Sequence, residues 1–297
     1  MKGSVIPRYS GLPTVLKENG YYNLFFMTHE GQYDNMNAFF RTNGYDEVFS
    51  QEDYPADKVV NSFGVQDDFL YDYAIPVLNQ RAATGQPFFA TLLSISNHPP
   101  YVIPPFFHPK TSGPETQIVE YADWALRQFF EEARKQPWFD NTIFVLEGDH
   151  GKLVGDAECE LPESYNHIPL MIYSSRIHPE EKNTFGGQVD IQPTILGLLN
   201  IDYLQNNFGV DLLKEERPCM FYTADNMIVG RNDTLLYLYN YETQQEFTYH
   251  IDNGKLKAVP MDDRFLPLKE YSFSMLQSAE FLVKHGKTVN SVPFTQQ

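Results

Sequence analysis

The chain has 297 residues, of which 42% are hydrophobic and 15% aromatic; this suffices for a large buried core and excludes a disordered or collagen-like protein. Its formal net charge is −17, whereas binding to nucleic-acid phosphates needs a surface rich in Lys and Arg, so no nucleic-acid partner is expected. The two cysteines, Cys159 and Cys219, allow one disulfide, and two unpaired buried thiols are the favoured prediction. No stretch is long and apolar enough to cross a bilayer, and the chain as written is expected to be soluble.

Predicted helices and strands alternate over the first two thirds of the chain. The run FFATLLSI at residues 88–95 is continuously apolar, as in a parallel strand that is buried on both faces. The alternation predicts an α/β fold with a mostly parallel sheet flanked by helices. In chain order, the predicted elements are a helix at 10–19, a strand at 22–27, helices at 34–42 and 67–83, a strand at 88–95, a helix at 115–135, strands at 141–146 and 168–173, and a helix at 190–199.

The last third of the chain has a different pattern. Short apolar segments are separated by Asn- and Asp-containing turns between residues 218 and 251, which is typical of an antiparallel meander. A helix at 268–285 is predicted to pack on it. The sequence therefore predicts two domains: an α/β domain at 1–210 and a smaller subdomain of antiparallel sheet plus helix at 211–297.

A polar loop with a carboxylate and an imidazole follows the predicted strand at 141–146. Its sequence is Glu-Gly-Asp-His-Gly, and it places Asp149 beside His150. Ligands of α/β proteins collect beyond the carboxyl ends of strands, and an oxygen plus an imidazole suits manganese, zinc or iron better than calcium. A structural interpretation stays open, in which Asp149 caps a turn and His150 forms hydrogen bonds within the loop.

Two further predicted strands also end in histidine-bearing loops. Asn97 and His98 follow the strand at 88–95, and His29 follows the strand at 22–27. If all three strands are parallel, the three histidines lie at one edge of the sheet. Chance is a less plausible explanation for all three placements together than for any one of them. His167, which precedes the strand at 168–173, is assigned a structural role.

Several segments, taken in order, match a known pattern. They are GLPTVLKENGYYNLFF at 11–26, LSISNHPP at 93–100, the helix segment at 121–130, NTIFVLEGDHG at 141–151, IPLMIY at 168–173 and VDIQPTILGLLNI at 189–201. Together they resemble the sulfatase-like domain of lipoteichoic acid synthases and related phosphoglycerol transferases, within the alkaline phosphatase superfamily. The resemblance covers about residues 10–205, and the last third fits the family's small subdomain in architecture only.

The resemblance implies a set of site residues. It implies one divalent metal ion, manganese by preference, with Asp149 and His150 among its ligands, and a substrate contacted by His98 and His29 together with Asn97. Asn35 and Met36 resemble an Asn-Met pattern of some relatives, where the synthases carry a Trp and an Arg, and Asn35 is counted with the substrate-binding residues. The list of substrate-binding and metal-binding candidates is thus His29, Asn35, Asn97, His98, Asp149 and His150.

The family's nucleophile is a threonine, which lies with a further acidic metal ligand upstream of the segment that matches residues 11–26. No catalytic nucleophile is therefore expected within this chain, which is predicted to begin after the first strand and the nucleophile helix. In the full-length protein, the upstream segment is expected to be membrane-anchored and the catalytic domain to face outward.

The resemblance implies a metal-dependent phosphoglycerol (phosphodiester) transferase acting on cell-envelope lipids or glycans, with an anionic phospholipid or glycan as the partner. Two alternatives stay open at this point. One is a hydrolase on the same fold, a sulfatase or a phosphodiesterase. The other is an inactive fragment or binding module, because this chain alone is expected to be inactive without the nucleophile.

Overall fold

The computed structural model describes residues 6–153 and 155–289. The chain forms two compact units, one extending to Thr142 and the other starting at Ile143. The domain boundary predicted near residue 210 stays a prediction.

The first unit is built on a parallel sheet of three strands. These are β1 (Tyr22–Met27), β2 (Glu47–Phe49) and β3 (Phe88–Leu93), in the order β2-β1-β3. The central strand β1 is buried from its second residue onward, as its apolar run predicts. The sequence prediction missed β2, because three residues are too few to show a strand pattern.

Four α-helices accompany this sheet, at positions close to the predicted ones. In α4 the apolar face that the sequence predicts is buried at Ile118, Ala125, Phe129 and Ala133. The hydroxyl of Tyr121 donates a 2.6 Å hydrogen bond to a carboxylate oxygen of α3. The helices are α1 (Leu12–Glu18), α2 (Met36–Thr42), α3 (Asp67–Ala82) and α4 (Pro114–Ala133).

The second unit begins with a two-stranded sheet formed by β4 (Phe144–Glu147) and β5 (Leu170–Tyr173), followed by α5 (Ile191–Leu199). The two strands pair antiparallel, in contrast to the parallel arrangement expected for this part of the chain. Parallel neighbours need a crossover connection, usually a helix, and the described residues between β4 and β5 include only a short 3-10 turn at Glu163–Tyr165.

The rest of the second unit is the predicted meander with its helix. Five antiparallel strands lie in the order β10-β9-β8-β7-β6, and helix α6 (Leu266–Lys284) follows them. Because successive side chains of β8 alternate between faces, Leu236 and Leu238 pack in one cluster and Leu235 and Tyr237 in another. The strands are β6 (Met220–Ala224), β7 (Met227–Arg231), β8 (Leu235–Asn240), β9 (Gln245–Asp252) and β10 (Lys255–Ala258).

The two cysteines are unpaired, as predicted, although each is only partly buried. Cys159 packs against the cluster on one face of the five-stranded sheet and Cys219 against the cluster on the other face. Across residues 6–153 and 155–289, no helix is both long enough and apolar enough to cross a membrane.

Candidate functional site

His29 lies in the loop that leaves the carboxyl end of β1. Its side chain is only 4% exposed, and its Nδ1 is 3.0 Å from the carbonyl oxygen of Glu30. The ring of Tyr33, which is largely exposed, lies with its centroid 4.9 Å from that of His29. The imidazole is therefore held by its own loop on one side and by an aromatic ring on another.

Asn35 follows in an unusual backbone conformation. Asp34 and Asn35 have φ values of +47° and +59°, so two successive residues with side chains adopt the left-handed region. Such conformations are costly for non-glycine residues and concentrate at functional sites. The assignment of Asn35 to the substrate-binding candidates stays a prediction.

His98 lies in the turn beyond β3. The backbone N–H of His98 donates a 2.8 Å hydrogen bond to the carbonyl oxygen of Ile95, and its Nδ1 is 2.7 Å from the carbonyl oxygen of Pro99. The side chains of Asn97 and His98 are exposed. Since β1 and β3 are parallel neighbours, with Met27 opposite Leu93, the loops of His29 and His98 leave the same edge of the sheet. The predicted shared edge is confirmed for these two histidines, and their role in substrate binding stays a prediction.

Asp149 and His150 lie in the second unit, directly after β4. Nε2 of His150 is 3.7 Å from Oδ2 of Asp149, and both side chains are about three-quarters exposed, at 72% and 75%. The side-chain amide of Gln188 donates a 2.9 Å hydrogen bond to the carbonyl oxygen of Asp149. The N–H of Gly151 donates a 2.8 Å hydrogen bond to the carbonyl oxygen of Tyr165, so the loop is tied down at both ends.

The three predicted site histidines share one local geometry. In His29, His98 and His150, Nδ1 lies 2.7–3.0 Å from the carbonyl oxygen of the next residue. A carbonyl oxygen can only accept, so this hydrogen bond places the proton on Nδ1 and leaves Nε2 as the reactive nitrogen of the neutral ring. Histidines that bind metals are commonly oriented by a carbonyl acceptor in this way.

The Asp149–His150 pair fits two ligands of one divalent ion. Carboxylate oxygen and imidazole nitrogen each lie about 2.0–2.2 Å from such an ion, so two ligands of the same ion are about 3–4 Å apart. The 3.7 Å separation falls in that range, and the exposure of both groups leaves room for an ion. Within the described residues, no group of three or more His, Cys, Asp or Glu side chains could hold a metal, so the pair is at most part of a site.

Several residues that hold these loops in place carried no signal in the sequence. Glu52 accepts a 3.1 Å hydrogen bond from the N–H of Gly31. Burial acts to raise the pKa of Glu52, but hydrogen bonds from Ser50 and the backbone and the nearby His29 outweigh it, and the net shift is downward. The sequence also showed no sign of Gln188, which contacts the Asp149 loop, or of Phe63 and Asp67, which contact the His98 turn, because each is distant in sequence from the loop it contacts. His167 is exposed before β5.

Comparison with known proteins places this chain in a family. The sequence model of the family described as "Sulfatase" matches residues 3–201, and the chain belongs to this family. It is 27% identical over 274 residues to lipoteichoic acid synthase 1 of Bacillus subtilis, covering 84% of this chain and 41% of that protein. It is 25% identical over 242 residues to the lipoteichoic acid synthase of Staphylococcus aureus, covering 70% of this chain and 35% of that protein.

Solved structures agree with the fold. A protein of the alkaline phosphatase superfamily from Vibrio parahaemolyticus has a TM-score of 0.84 at 25% identity, over 95% of this chain and 70% of that one. The lipoteichoic acid synthase LtaP from Listeria monocytogenes has a TM-score of 0.79 at 22% identity, over 93% and 73% of the two chains. The predicted α/β fold class and the family resemblance are confirmed. The chain spans about two fifths of the length of the curated synthases that it matches.

Proposed function

We propose that the complete protein is a metal-dependent phosphoglycerol transferase of the sulfatase family that acts on an anionic lipid or glycan of the cell envelope. The observation that carries this proposal is the common orientation of His29, His98 and His150, each with Nδ1 directed to a carbonyl oxygen and Nε2 left for a ligand. The relatives named lipoteichoic acid synthase support the choice of substrate class.

The histidines of the first unit suit a phosphoryl group. When protonated, Nε2 of His29 or His98 donates a charge-assisted hydrogen bond to a phosphoryl oxygen. When neutral, the same nitrogen accepts a proton from a hydroxyl group, as transfer to an alcohol acceptor requires. His29 is buried while His98 is exposed, so we assign His29 to holding the anion and His98 to the side from which the substrate enters.

Asp149 and His150 are the proposed metal ligands within this chain. Their exposed, 3.7 Å-spaced donor atoms would hold a divalent ion, for which manganese is the first choice. Such an ion, when bound, neutralises charge on the phosphoryl oxygens and favours deprotonation of a coordinated hydroxyl. A lipid substrate would place the complete enzyme at a membrane, where we propose that it is anchored with its catalytic domain facing outward.

A hydrolase is the second candidate. The family that matches is the sulfatase family, and Asn35 and Met36 occupy a position where the synthases were expected to carry other residues. That difference favours a substrate other than the glycerol phosphate of the synthases. Sulfate and phosphate esters share a tetrahedral anion, so His29 and His98 would serve either reaction.

The test uses the complete gene product with two substrates, a fluorescent phosphatidylglycerol and an aryl sulfate, with and without EDTA and added manganese. The proposal predicts metal-dependent release of diacylglycerol and transfer of glycerol phosphate, lost in His150→Ala. A matched control is His178→Ala, which removes an exposed imidazole from the turn after β5. Turnover of the aryl sulfate alone would establish the hydrolase instead, and turnover unaffected by EDTA would refute both.

A further inference from the structure

Residues 60–67, which are the last part of the connection from β2 to α3 and the first residue of α3, contact both histidine loops of the first unit. We call these residues the clamp. The clamp begins with a compact turn, in which the N–H of Val60 donates to the carbonyl oxygen of Gly64 at 2.9 Å and the N–H of Gly64 donates to that of Asn61 at 3.0 Å. The side chain of Asn61 accepts a further 2.8 Å hydrogen bond from the N–H of Phe63. The turn is therefore ordered by its own backbone.

The middle of the clamp lies directly against the His29 loop. The N–H of Val65 donates a 3.2 Å hydrogen bond to the carbonyl oxygen of Thr28. A Cβ atom at Gly64 would lie 1.8 Å from that oxygen and 2.9 Å from Cα of His29, and Gly64 has a φ of +88°. Only glycine fits both the space and the backbone conformation, so the close approach of the clamp to the His29 loop requires Gly64.

The end of the clamp holds the His98 turn. Oδ1 of Asp67 accepts hydrogen bonds from the N–H groups of Ile95 at 2.9 Å and Ser96 at 3.0 Å. The N–H of Asp67 in turn donates to Oγ of Ser96 at 3.1 Å. The carbonyl oxygen of Ile95 accepts the hydrogen bond from the N–H of His98. The ring centroid of Phe63 lies 4.1 Å from that of His98.

The buried carboxyl group of Asp67 is the contact that fixes the His98 turn. Its side chain is 2% exposed, and a buried carboxylate is costly unless it is well hydrogen-bonded. Asp67 is the first residue of α3, where the helix dipole favours a carboxylate. Its Oδ1 accepts from two backbone donors of the turn that carries His98, so the buried carboxyl group fixes the path of that turn.

We propose that the clamp sets the position of His98 relative to His29, with Asp67 as the positioning residue that fixes the His98 turn. This proposal rests on the proposed function in one respect, namely that the two imidazoles bind one phosphoryl group. Asp67 touches no substrate in this account and acts only through the backbone of Ile95 and Ser96.

The test compares three variants of the 297-residue chain: Asp67→Ala, Asp67→Asn and, as a matched control, Asp68→Asn. Asn retains an acceptor oxygen at position 67, whereas Ala does not. Asp68 is the neighbouring carboxylate, whose partner is the Tyr121 hydroxyl on α4 rather than the His98 turn. Imidazole ¹⁵N–¹H spectra, with His98 assigned from a His98→Gln variant, report the Nδ1 hydrogen bond directly, and kcat/KM is measured for the same changes in the complete enzyme.

We expect Asp67→Ala to shift or broaden the His98 signals and to lower kcat/KM by about 100-fold. A loss of this size is what a displacement of a positioned group by about 1 Å causes. Asp67→Asn should restore both, and Asp68→Asn should change neither. If Asp67→Ala does not fold, Asp67→Leu replaces it, since leucine fills a similar space without an acceptor oxygen for the N–H groups of Ile95 and Ser96. Unchanged His98 signals in a folded Asp67→Ala or Asp67→Leu chain, or no rescue by Asn, would overturn the proposal. Absence of phosphoglycerol transfer in the wild type would refute the proposed function alone, because the spectra still decide the role of Asp67.

Discussion

Substitution of Gly64 by alanine should destabilise the first unit well beyond the usual cost of losing a glycine. The new Cβ would lie 1.8 Å from the carbonyl oxygen of Thr28 and 2.4 Å from its carbonyl carbon, both of them backbone atoms that cannot rotate away. The backbone at Gly64 also has a φ of +88°, which an alanine adopts only with strain.

The two contributions have separate magnitudes. A left-handed conformation costs a residue with a Cβ about 1–2 kcal/mol, and forcing extra atoms into a packed region costs about 1–3 kcal/mol. Gly64→Ala should therefore lower the free energy of unfolding by about 2–5 kcal/mol. Gly85 provides the matched control, because its φ is +76° but nothing lies within 4 Å of a Cβ built there. Gly85→Ala should show the conformational cost alone, about 1–2 kcal/mol.

Urea denaturation followed by tryptophan fluorescence measures this difference. The chain has two tryptophans, Trp124 and Trp138, and both lie in the first unit, so the signal reports the unit that contains Gly64 and Gly85. An equal loss of stability in the two variants would refute the reasoning, since it would mean that the clamp does not approach Thr28 closely.

Three further predictions concern the second unit. Burial raises the pKa of the Cys159 thiol to about 11, so little of it is thiolate at pH 8. Alkylation of Cys159 should therefore be about 100-fold slower in the folded chain than in urea, and its rate in the folded chain should rise about tenfold per pH unit. Equal rates in the two states would contradict the burial of this thiol. Arg217→Ala leaves the fully buried Asp190 carboxylate without its ion-pair partner, so the free energy of unfolding should fall by about 3–5 kcal/mol. Urea denaturation followed by circular dichroism measures this loss. Arg264→Ala, which breaks an exposed ion pair with Asp262, is the control and should have no measurable effect. The hydrogen bond from Lys269 lowers the pKa of Glu246 below its usual 4.5. The stabilising effect of this ion pair is therefore present above pH 4.5 and is lost as the pH falls through the lowered pKa. The Tm difference between wild type and Glu246→Gln should vanish in acid, and a difference that stays constant with pH would contradict the ion pair.

Much of the fold could be predicted because the relevant signals are local. The continuous apolar runs at β1 and β3 and the amphipathic spacing of α4 determine those elements with little help from the rest of the chain. The same holds for the meander, whose strands are separated by turn residues with positive φ, such as Asp225 and Asn226. The class and the positions of most elements follow from these patterns.

Strand pairing was harder, because it depends on the path of the connections. The apolar composition of β4 and β5 suits a parallel or an antiparallel neighbour equally, so the sequence pattern does not distinguish the two directions of pairing. Strand β2, with three residues, has no periodicity to detect.

For the candidate site, the sequence predicted the histidines but not the residues that orient them. His29 and His98 follow recognisable strands, and the parallel pairing of β1 with β3 brings their loops to one edge. Asp67 is 31 residues before His98 along the chain, and Gln188 is 38 residues after His150. Such partners are fixed by tertiary packing, which leaves no periodic trace in a single sequence. Whether Asp149 and His150 act together with His29 and His98 stays a prediction.

Metal-dependent transfer of glycerol phosphate by the complete gene product is the most direct test of the account. We expect turnover of a phosphatidylglycerol donor that is abolished by EDTA, restored by manganese, absent from His150→Ala and retained in His178→Ala. Full turnover in the His150→Ala enzyme, or turnover that EDTA leaves unchanged, would contradict the assignment of Asp149 and His150 to a metal site and, with it, the proposed chemistry.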